Sequence, residues 1–392
     1  MSIKRVGVIG GGQLAWMMAD AAKSLGVALV VQTPSPKDPA VAIAAETIFA
    51  PVDDAAATAQ LATRCDVITF ENEFVNLEAL LPLAEQGVCF RPGLQVLAPL
   101  LDKYHQRCYL KQLGLPVPKF VALQESGVAE KWGNIQNDLD VHFPAVLKAR
   151  RHGYDGQGTF IIKDVDALKH RLGACSTQQM GHEPLFLLEE FVPFERELAV
   201  IAARSVSGEI VTYPIVETQQ EDQVCKRVLV PADLTSAVKA EIEAIAHTLM
   251  DNLQVVGVFG IELFLTPNGR VLVNEIAPRT HNSGHFTLDA CETSQFEQQL
   301  RAVCHLPLGN PALRCAGAVM VNLLGYEYSQ NDYLALRQQL QIPHAHVHWY
   351  GKTESRPGRK LGHVTVLLDA QNHLESRALS YAQTIESVWY GN

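Results

Sequence analysis

The chain has 392 residues, 47% hydrophobic and 19% charged, and a formal net charge of -10. That length accommodates two or three domains with cores of their own, and the composition excludes a disordered or fibrous chain. The acidic balance excludes nucleic acid as the main partner, because backbone phosphates need a basic face, but it leaves room for locally basic clefts around small anions.

The eight cysteines (Cys65, Cys89, Cys108, Cys175, Cys225, Cys291, Cys304 and Cys315) form no C-x-x-C pair. Free thiols in a reducing compartment are expected. The N-terminal MSIKRVGVIGGGQLAWMM enters a strand and a glycine turn directly, without the long apolar core of a signal peptide. No run of about 18 apolar residues occurs, so a cytoplasmic protein without a membrane partner is expected.

In chain order, Val6–Ile9 reads as a short buried strand, Gly10-Gly11-Gly12 as a turn and Gln13–Leu25 as a helix closed by Gly26. Val27–Gln32 is the next strand. This opening is of the doubly wound α/β kind, in which glycines admit a phosphate to a helix N-terminus. The dinucleotide fingerprint is poor, since Gly7, Gly10 and Gly12 crowd the turn and Gln32 stands where an acidic residue would hold a ribose. A small anionic ligand is favoured over a purely structural turn, and both over a nicotinamide site. Asp66–Phe70 is another buried strand, delivering Glu71 and Glu73 to its carboxyl end, where open α/β sheets bind ligands. Loop solvation is the plain alternative for both. Cys89-Phe90 and Arg91-Pro92 close this segment near residue 100.

Leu101–Gly114 is an amphipathic helix bearing Lys103, Arg107 and Lys111, stopped by Gly114, Pro116 and Pro118. Pro144–Ala149 and Thr159–Lys163 are strands, the first reaching Lys148. The stretch from Arg150 to Gly158 between them holds three glycines in its last six residues. It suits a flap whose backbone amides cover phosphates, or a plain glycine hairpin. No G-K-[ST] helix follows, so it is not a Walker A loop. Leu185–Val192 is a strand interrupted by Glu189 and Glu190, with Glu197 and Glu209 beyond it and further β structure to about Val230. Leu234–Leu253 is an amphipathic helix.

Val258–Leu265 and Val271–Ile276, around Pro267-Asn268-Gly269-Arg270, read as a hairpin, since Asn-Gly between β-branched runs is a strong turn signal. With Asn268 and Gly269 as the central pair, facing residue numbers sum to 537 and Glu262 lies opposite Glu275. Their Cβ atoms would then be about 4.5–5.5 Å apart, and bare like charges there destabilise the pair. A shared magnesium ion removes the repulsion, and two solvated surface glutamates are the alternative.

Thr293–Val303 is helical. From about Pro311 the chain turns strand-rich, with Ala318–Leu324, His344–Tyr350 and His363–Leu368, and with helical segments near Asp332–Leu340 and Ser376–Ser387. His344, His346 and His348 alternate along one strand and so share a face. Without a cysteine or carboxylate to complete the set, an exposed strand edge is favoured over zinc. His281 and His285 lack the H-E-x-x-H pattern. Lys352, Arg356, Arg359, Lys360 and His363 gather at a Pro-Gly turn, either as an anion clamp or as a solvated charge run.

Taken together these features resemble the ATP-grasp superfamily and, within it, the 5-(carboxyamino)imidazole ribonucleotide synthases of purine biosynthesis. The likeness covers nearly the full length: GGGQL at 10–14, VITFE at 67–71, GYDGQG at 153–158, EEFVPFERELAVIAAR at 189–204 and VFGIELFL at 258–265. NEIAPRTHNSGHFT at 274–287, TSQFEQQLRAV at 293–303, LPLG at 306–309 and HWYGKTESRPGRKLGH at 348–363 complete it. The NEIAPR-x-HNSGH and RPGRK-x-GH runs are highly specific together, whereas GGGQL alone is weak.

The resemblance implies an α/β and α+β fold in three domains. These are a Rossmann-like pre-ATP-grasp domain over 1–100, a two-lobed ATP-grasp domain over 101–310 and a strand-rich domain over 311–392. It implies ATP with magnesium, or manganese in its place, and a homodimer. By position, Lys103 and Lys148 contact the nucleotide phosphates, under a flap of Gly153, Tyr154, Asp155, Gly156, Gln157 and Gly158. Glu189, Glu190, Phe191 and Val192 lie along adenine, Glu197 holds the ribose, and Gln220 and Asn274 belong to the same ATP set. Glu262 and Glu275 bind the metal. For the ribonucleotide the matching positions are Gln13, Glu71, Tyr154, Asp155, Arg279, His281, Asn282, Ser283, Lys352, Arg359 and Lys360.

The implied reaction joins ATP and bicarbonate into carboxyphosphate, whose carboxyl group passes to the amine of 5-aminoimidazole ribonucleotide. Asp155, Arg279 and Tyr154 are its catalytic candidates, Asp155 as proton acceptor and Arg279 as a bidentate clamp on a carboxylate. Some positions depart from the family pattern. Ala15-Trp16 follows GGGQL in place of Gly-Arg, His152 replaces a flap glycine and Gln157 a flap lysine. Asn72 and Phe74 replace Phe and Asn, and Gln220 stands where histidine is frequent. These put nucleotide affinity and flap mobility in question more than reaction type. The alternatives are another ATP-grasp ligase or carboxylase, or a nucleotide-binding homologue with weakened catalysis.

Overall fold

The structure, a computed structural model, describes residues 4–123, 142–151, 153, 158–176, 186–370 and 372–391. His152, Tyr154, Asp155, Gly156 and Gln157 of the flap therefore lie outside the described residues. The strands in chain order are β1 (Arg5–Ile9), β2 (Ala28–Thr33), β3 (Glu46–Phe49), β4 (Val67–Phe70), β5 (Phe120–Leu123), β6 (Ala145–Ala149), β7 (Thr159–Ile162), β8 (Phe186–Glu190) and β9 (Arg196–Arg204). They continue with β10 (Ile210–Thr212), β11 (Val216–Glu221), β12 (Val224–Val230), β13 (Gly257–Leu265), β14 (Val271–Ala277), β15 (Gly317–Leu324), β16 (Ala345–Trp349) and β17 (Lys360–Leu368). Two compact units form: Met1–Leu97 with Leu198–Ile261 and Ala277–Asn392, and Ala98–Glu197 with Glu262–Ile276. No helix among the described residues is long and apolar enough to cross a membrane.

The first unit opens with a parallel sheet in the order β3-β2-β1-β4. β1 and β4 run in register with Ile9 beside Phe70, so the chain leaves the sheet at Gly10 and at Glu71 side by side. The expected single helix over Gln13–Leu25 is in fact two, Gln13–Trp16 and Ala19–Leu25. A tight Met18 N–H to Ala15 C=O bond of 3.1 Å ends the first turn between them. Cys89-Phe90 makes only an isolated bridge to Ile68 rather than a full strand.

The unit's antiparallel sheet runs β13-β9-β11-β12-β15-β17-β16, with β10 against β9. The helix Leu374–Tyr390 covers one face. Its buried Ala378, Ala382, Ile385 and Trp389 recur at helical spacing and pack on Val319, Val321, Leu361 and Val364. The helix Gln295–Val303 buries Phe296, Leu300 and Val303 among Val6, Val8 and Val31 of the parallel sheet. That apolar stripe is why a segment near residue 290 belongs with the N-terminal strands.

The second unit has the antiparallel order β5-β8-β6-β7 around Leu123, Leu147, Phe186 and Leu188. β6 and β7 pair Lys148 with Thr159, so the glycine segment joins two neighbouring strands as expected. The helix Lys103–Gln112 starts on Asp102, whose carboxylate caps the amides of Tyr104 and His105.

The hairpin turn departs from the expected register. Gly269 N–H donates to Thr266 C=O at 2.8 Å, and Thr266 N–H to Arg270 C=O at 3.0 Å. The loop is thus three residues, with Gly269 at φ +79°, a type I turn completed by a left-handed residue. Thr266 faces Arg270, which moves the facing pairs by one. Glu262 consequently meets Asn274, with Asn274 Nδ2 3.4 Å from Glu262 Oε2, and does not lie opposite Glu275. Pro267 is the reason: its fixed φ suits the first central position of a type I turn, which leaves glycine for the third loop residue.

Trp389 is 1% exposed and its indole N–H donates to Leu324 C=O at 2.8 Å. Trp389→Ala is expected to lower the unfolding free energy by about 3–5 kcal/mol, and Trp389→Phe by less, measured by denaturant titration.

Candidate active site

In the second unit, Lys103 and Arg107 are four apart on one helix and so share a face. The Lys103 ammonium pairs with Glu275. Arg107, 2% exposed, gives its Nε to Glu189 Oε1 and its Nη2 to the Asn274 carbonyl. Lys148 Nζ lies 2.7 Å from Glu189 Oε2 and donates to Asn274 Oδ1 at 3.0 Å. Four elements thus converge on one acid and amide cluster: the helix, β6, β8 and the hairpin.

Charges this deep persist only when paired. Burial pushes the Glu189 carboxyl upward, but the Arg107 and Lys148 cations outweigh it and hold the group down to about 2. Burial lowers Lys148, with the Glu189 charge opposing. Glu189 therefore acts through its carboxylate as counter-ion to two cations. Its neighbour Glu190 accepts from Lys119 N–H at 2.9 Å, while Phe191 is exposed and Val192 buried. Glu197 is half-buried at the start of β9, Gly153 is half-buried, and Gly158 C=O accepts from Ala149 N–H at 2.7 Å. Gln220 is exposed beside a bulge of β11 in the first unit. Arg107 was legible only as a helix charge; its spacing from Lys103 was the signal for its role.

In the first unit the glycine turn wraps Glu71. The carboxylate accepts from Leu14 N–H at 3.3 Å and from Gly12 N–H. A Cβ on Gly10 would sit 2.6 Å from Glu71 Oε2, and one on Gly12 would collide with Oε1. These glycines are demanded by a side chain of the same protein, whatever ligand arrives. Burial raises the Glu71 pKa, against the charge of Arg279, the two amides and the charge of Lys352. Gln13 is half-buried at the start of the first short helix. Arg279 Nε lies 3.0 Å from Glu73 Oε1, and its Nη1 donates to Thr280 C=O.

His281 Nδ1 is 2.8 Å from Ser283 Oγ, and Asn282 bonds Asn322. Lys352 Nζ donates to Lys360 C=O at 2.7 Å, and Arg359 Nη1 to Glu354 C=O at 3.0 Å. Lys360 is buried on β17. Gln13, Glu71, Arg279, His281, Asn282, Ser283, Lys352, Arg359 and Lys360 therefore all belong to one compact unit.

The histidine strand differs from its expected form. His344 has φ +61° and precedes β16, so only His346 and His348 share the strand face. Both reach Asp289, at 3.5 and 2.9 Å, a carboxylate the sequence reading did not connect to them. Asp289, His348 and His363 offer ligand atoms within 4.8 Å of one another. The His348 and His363 rings, however, stack 4.5 Å apart at 15°. Metal bonds lie in the imidazole plane, and near-parallel stacked planes do not meet at one ion. The group is two hydrogen-bonded pairs joined by that ring stack: His348 with Asp289, and His363, whose Nδ1 is 2.8 Å from the Tyr350 hydroxyl.

Comparison with known proteins first defines the class. Residues 3–98 match the ribonucleotide synthetase pre-ATP-grasp domain, 108–296 the ATP-grasp domain, and 318–377 the phosphoribosylaminoimidazole carboxylase C-terminal domain. The N5-carboxyaminoimidazole ribonucleotide synthase of Synechococcus elongatus is 54% identical over 391 residues, covering 99% of this chain and 96% of the relative. The synthetase of Thermotoga maritima superposes with a TM-score of 0.83 at 38% identity, covering 98% of each chain. The Aspergillus clavatus synthase, solved with ADP and 5-aminoimidazole ribonucleotide, gives 0.88 at 30% identity over 99% of each chain. The chain belongs to the N5-carboxyaminoimidazole ribonucleotide synthase family of ATP-grasp, ATP-dependent ligases.

Glu189 tests the buried cluster. Its carboxyl has a depressed folded-state pKa, so its contribution to stability is complete above its ordinary value of 4.5 and is lost as pH falls towards about 2. Glu189→Gln should cost about 3–5 kcal/mol at neutral pH by stranding two buried cations. It should also flatten the loss of stability across that acid window, read as urea midpoints against pH.

Proposed function

We propose that this chain carboxylates the amino group of 5-aminoimidazole ribonucleotide, consuming ATP and bicarbonate and releasing ADP and phosphate, in de novo purine biosynthesis. Family membership over the full length of the chain carries this reading. The two clusters add to it, one rich in lysine and acid in the second unit and one built on a buried carboxylate and glycine turn in the first.

Lys103 and Lys148 neutralise the nucleotide phosphates, with Glu189, itself fixed by Arg107, and Asn274 holding Lys148 in place. Phosphoryl transfer needs placed cations more than covalent chemistry. Glu262 and Glu275 would hold the metal, and their carboxylate oxygens suit magnesium, or manganese in its place. The metal, when bound, neutralises charge developing on the phosphate oxygens. The glycine flap from Gly153 to Gly158 excludes water from carboxyphosphate.

Arg279 orients the carboxylate of bicarbonate, and Gln13, Glu71, His281, Asn282, Ser283, Lys352, Arg359 and Lys360 bind the ribonucleotide. The substrate amine attacks the carboxyl carbon of carboxyphosphate, the carbon–oxygen bond to phosphate breaks, and one amine proton passes to Asp155, with Tyr154 beside it. Division into segments 1–100, 101–310 and 311–392, a homodimer and a cytoplasmic location complete the proposal.

Phosphate release from ATP should require bicarbonate and 5-aminoimidazole ribonucleotide together. Release with another acceptor in place of the ribonucleotide would instead favour a different ATP-grasp ligase, and ATP binding without release a weakened homologue. Glu275→Ala should lower turnover by about 100-fold or more, measured in the same assay. Near-normal turnover in that variant would remove Glu275 from the metal site.

A further inference from the structure

The turn that carries His281, Asn282 and Ser283 is gripped from behind by two buried carboxamides to which the reaction gives no part. Gln295, the first residue of the Gln295–Val303 helix, is 0% exposed. Its Oε1 accepts from His281 N–H at 2.9 Å and its Nε2 donates to His281 C=O at 2.8 Å. The same Nε2 is 3.1 Å from His285 Nδ1. Its backbone N–H donates to Thr287 Oγ1 at 2.9 Å, and that hydroxyl donates to Gly284 C=O at 2.6 Å. Asn322, on β15 and also 0% exposed, exchanges two hydrogen bonds with Asn282: its Nδ2 donates to Asn282 Oδ1 at 2.8 Å and its Oδ1 accepts from Asn282 Nδ2 at 3.0 Å. It anchors itself by donating to Cys225 C=O at 2.9 Å.

A side-chain amide that takes both the N–H and the C=O of one residue fixes the orientation of that residue, which one hydrogen bond does not. The packing leaves little slack. A Cβ on Gly284 would lie 2.7 Å from Gln295 Oε1, and one on Gly260 would lie 2.5 Å from His281 Cβ. The helix of Gln295 is itself held in the core of the parallel sheet through Phe296 and Leu300. Burial above all holds the His285 pKa well below the ordinary imidazole value, so the ring beside Gln295 Nε2 stays neutral.

We propose that Gln295 and Asn322 are positioning residues for the ribonucleotide. They set the aim of His281 and Asn282 without touching substrate, and they are the part played by the S-Q-F-E run and by the centre of β15. This rests on His281 and Asn282 being substrate contacts.

The test is steady-state kinetics of the full chain with each substrate varied in turn. Gln295→Met and Asn322→Leu should raise KM for 5-aminoimidazole ribonucleotide about tenfold or more, while KM for ATP stays within about twofold. The unchanged ATP value also reports a folded enzyme. Asn322→Leu, on a different element, tests the same inference independently and serves if Gln295→Met does not fold. In the double variant with His281→Ala, Gln295→Met should add nothing beyond about twofold, because it acts through His281. Equal shifts in both KM values, or full additivity in the double variant, would mean a merely structural role and overturn the inference. His281→Ala and Asn282→Ala separate the two levels. If they raise the ribonucleotide KM and the amide variants do not, the inference alone fails. If they leave it unchanged, the substrate assignment fails and the inference with it.

Discussion

The second unit depends on one buried carboxylate. Glu189 accepts from Arg107 on one oxygen and from Lys148 on the other, and both cations also bond Asn274. Removing three charges from water costs several kcal/mol for each ion, and their mutual attraction offsets this only when the geometry is complete. Completeness here requires that the helix, β6, β8 and the hairpin all be in place. The ionic cluster therefore couples folding of the unit to the aim of Lys148. Hydrophobic burial around Leu147 and Leu188 supplies cohesion but is indifferent to where an ammonium points.

The first unit solves a similar problem with hydrogen bonds. Glu71 is desolvated, and amides of the glycine turn are directed at it. Gln295 and Asn322 do for the 281–283 turn what a strand partner would do elsewhere, by satisfying backbone and amide groups that packing has cut off from water. In both units the candidate contacts are short polar segments whose freedom has been removed by buried partners. Chemistry that relies on placed charge needs that rigidity, because a displacement of about 1 Å at a reacting group can cost two orders of magnitude in rate.

The registers show where local reading stops. Asn268-Gly269 announced a hairpin, and a hairpin is there. Which two residues face each other turned on Pro267, which shifted the turn by one position and exchanged Glu275 for Asn274 opposite Glu262. Likewise, alternation put His344, His346 and His348 on one strand, but the strand begins at Ala345 and the carboxylate that engages two of them, Asp289, is more than fifty residues away.

By itself the sequence determined what depends on neighbours along the chain: the strand–glycine–helix opening, the amphipathic helices, the lysine-flanked glycine segment and the acidic hairpin. Its family motifs also determined the ligase class. Only the tertiary structure decided the partners of the charges. Arg107, Lys148 and Glu189 are separated by tens of residues, and Gln295 lies 14 residues from His281 and Asn322 40 from Asn282. Periodicity registers whether a side chain is buried, because that is a property of its own element. Which buried group it meets is set by how elements pack, and no local pattern carries that information.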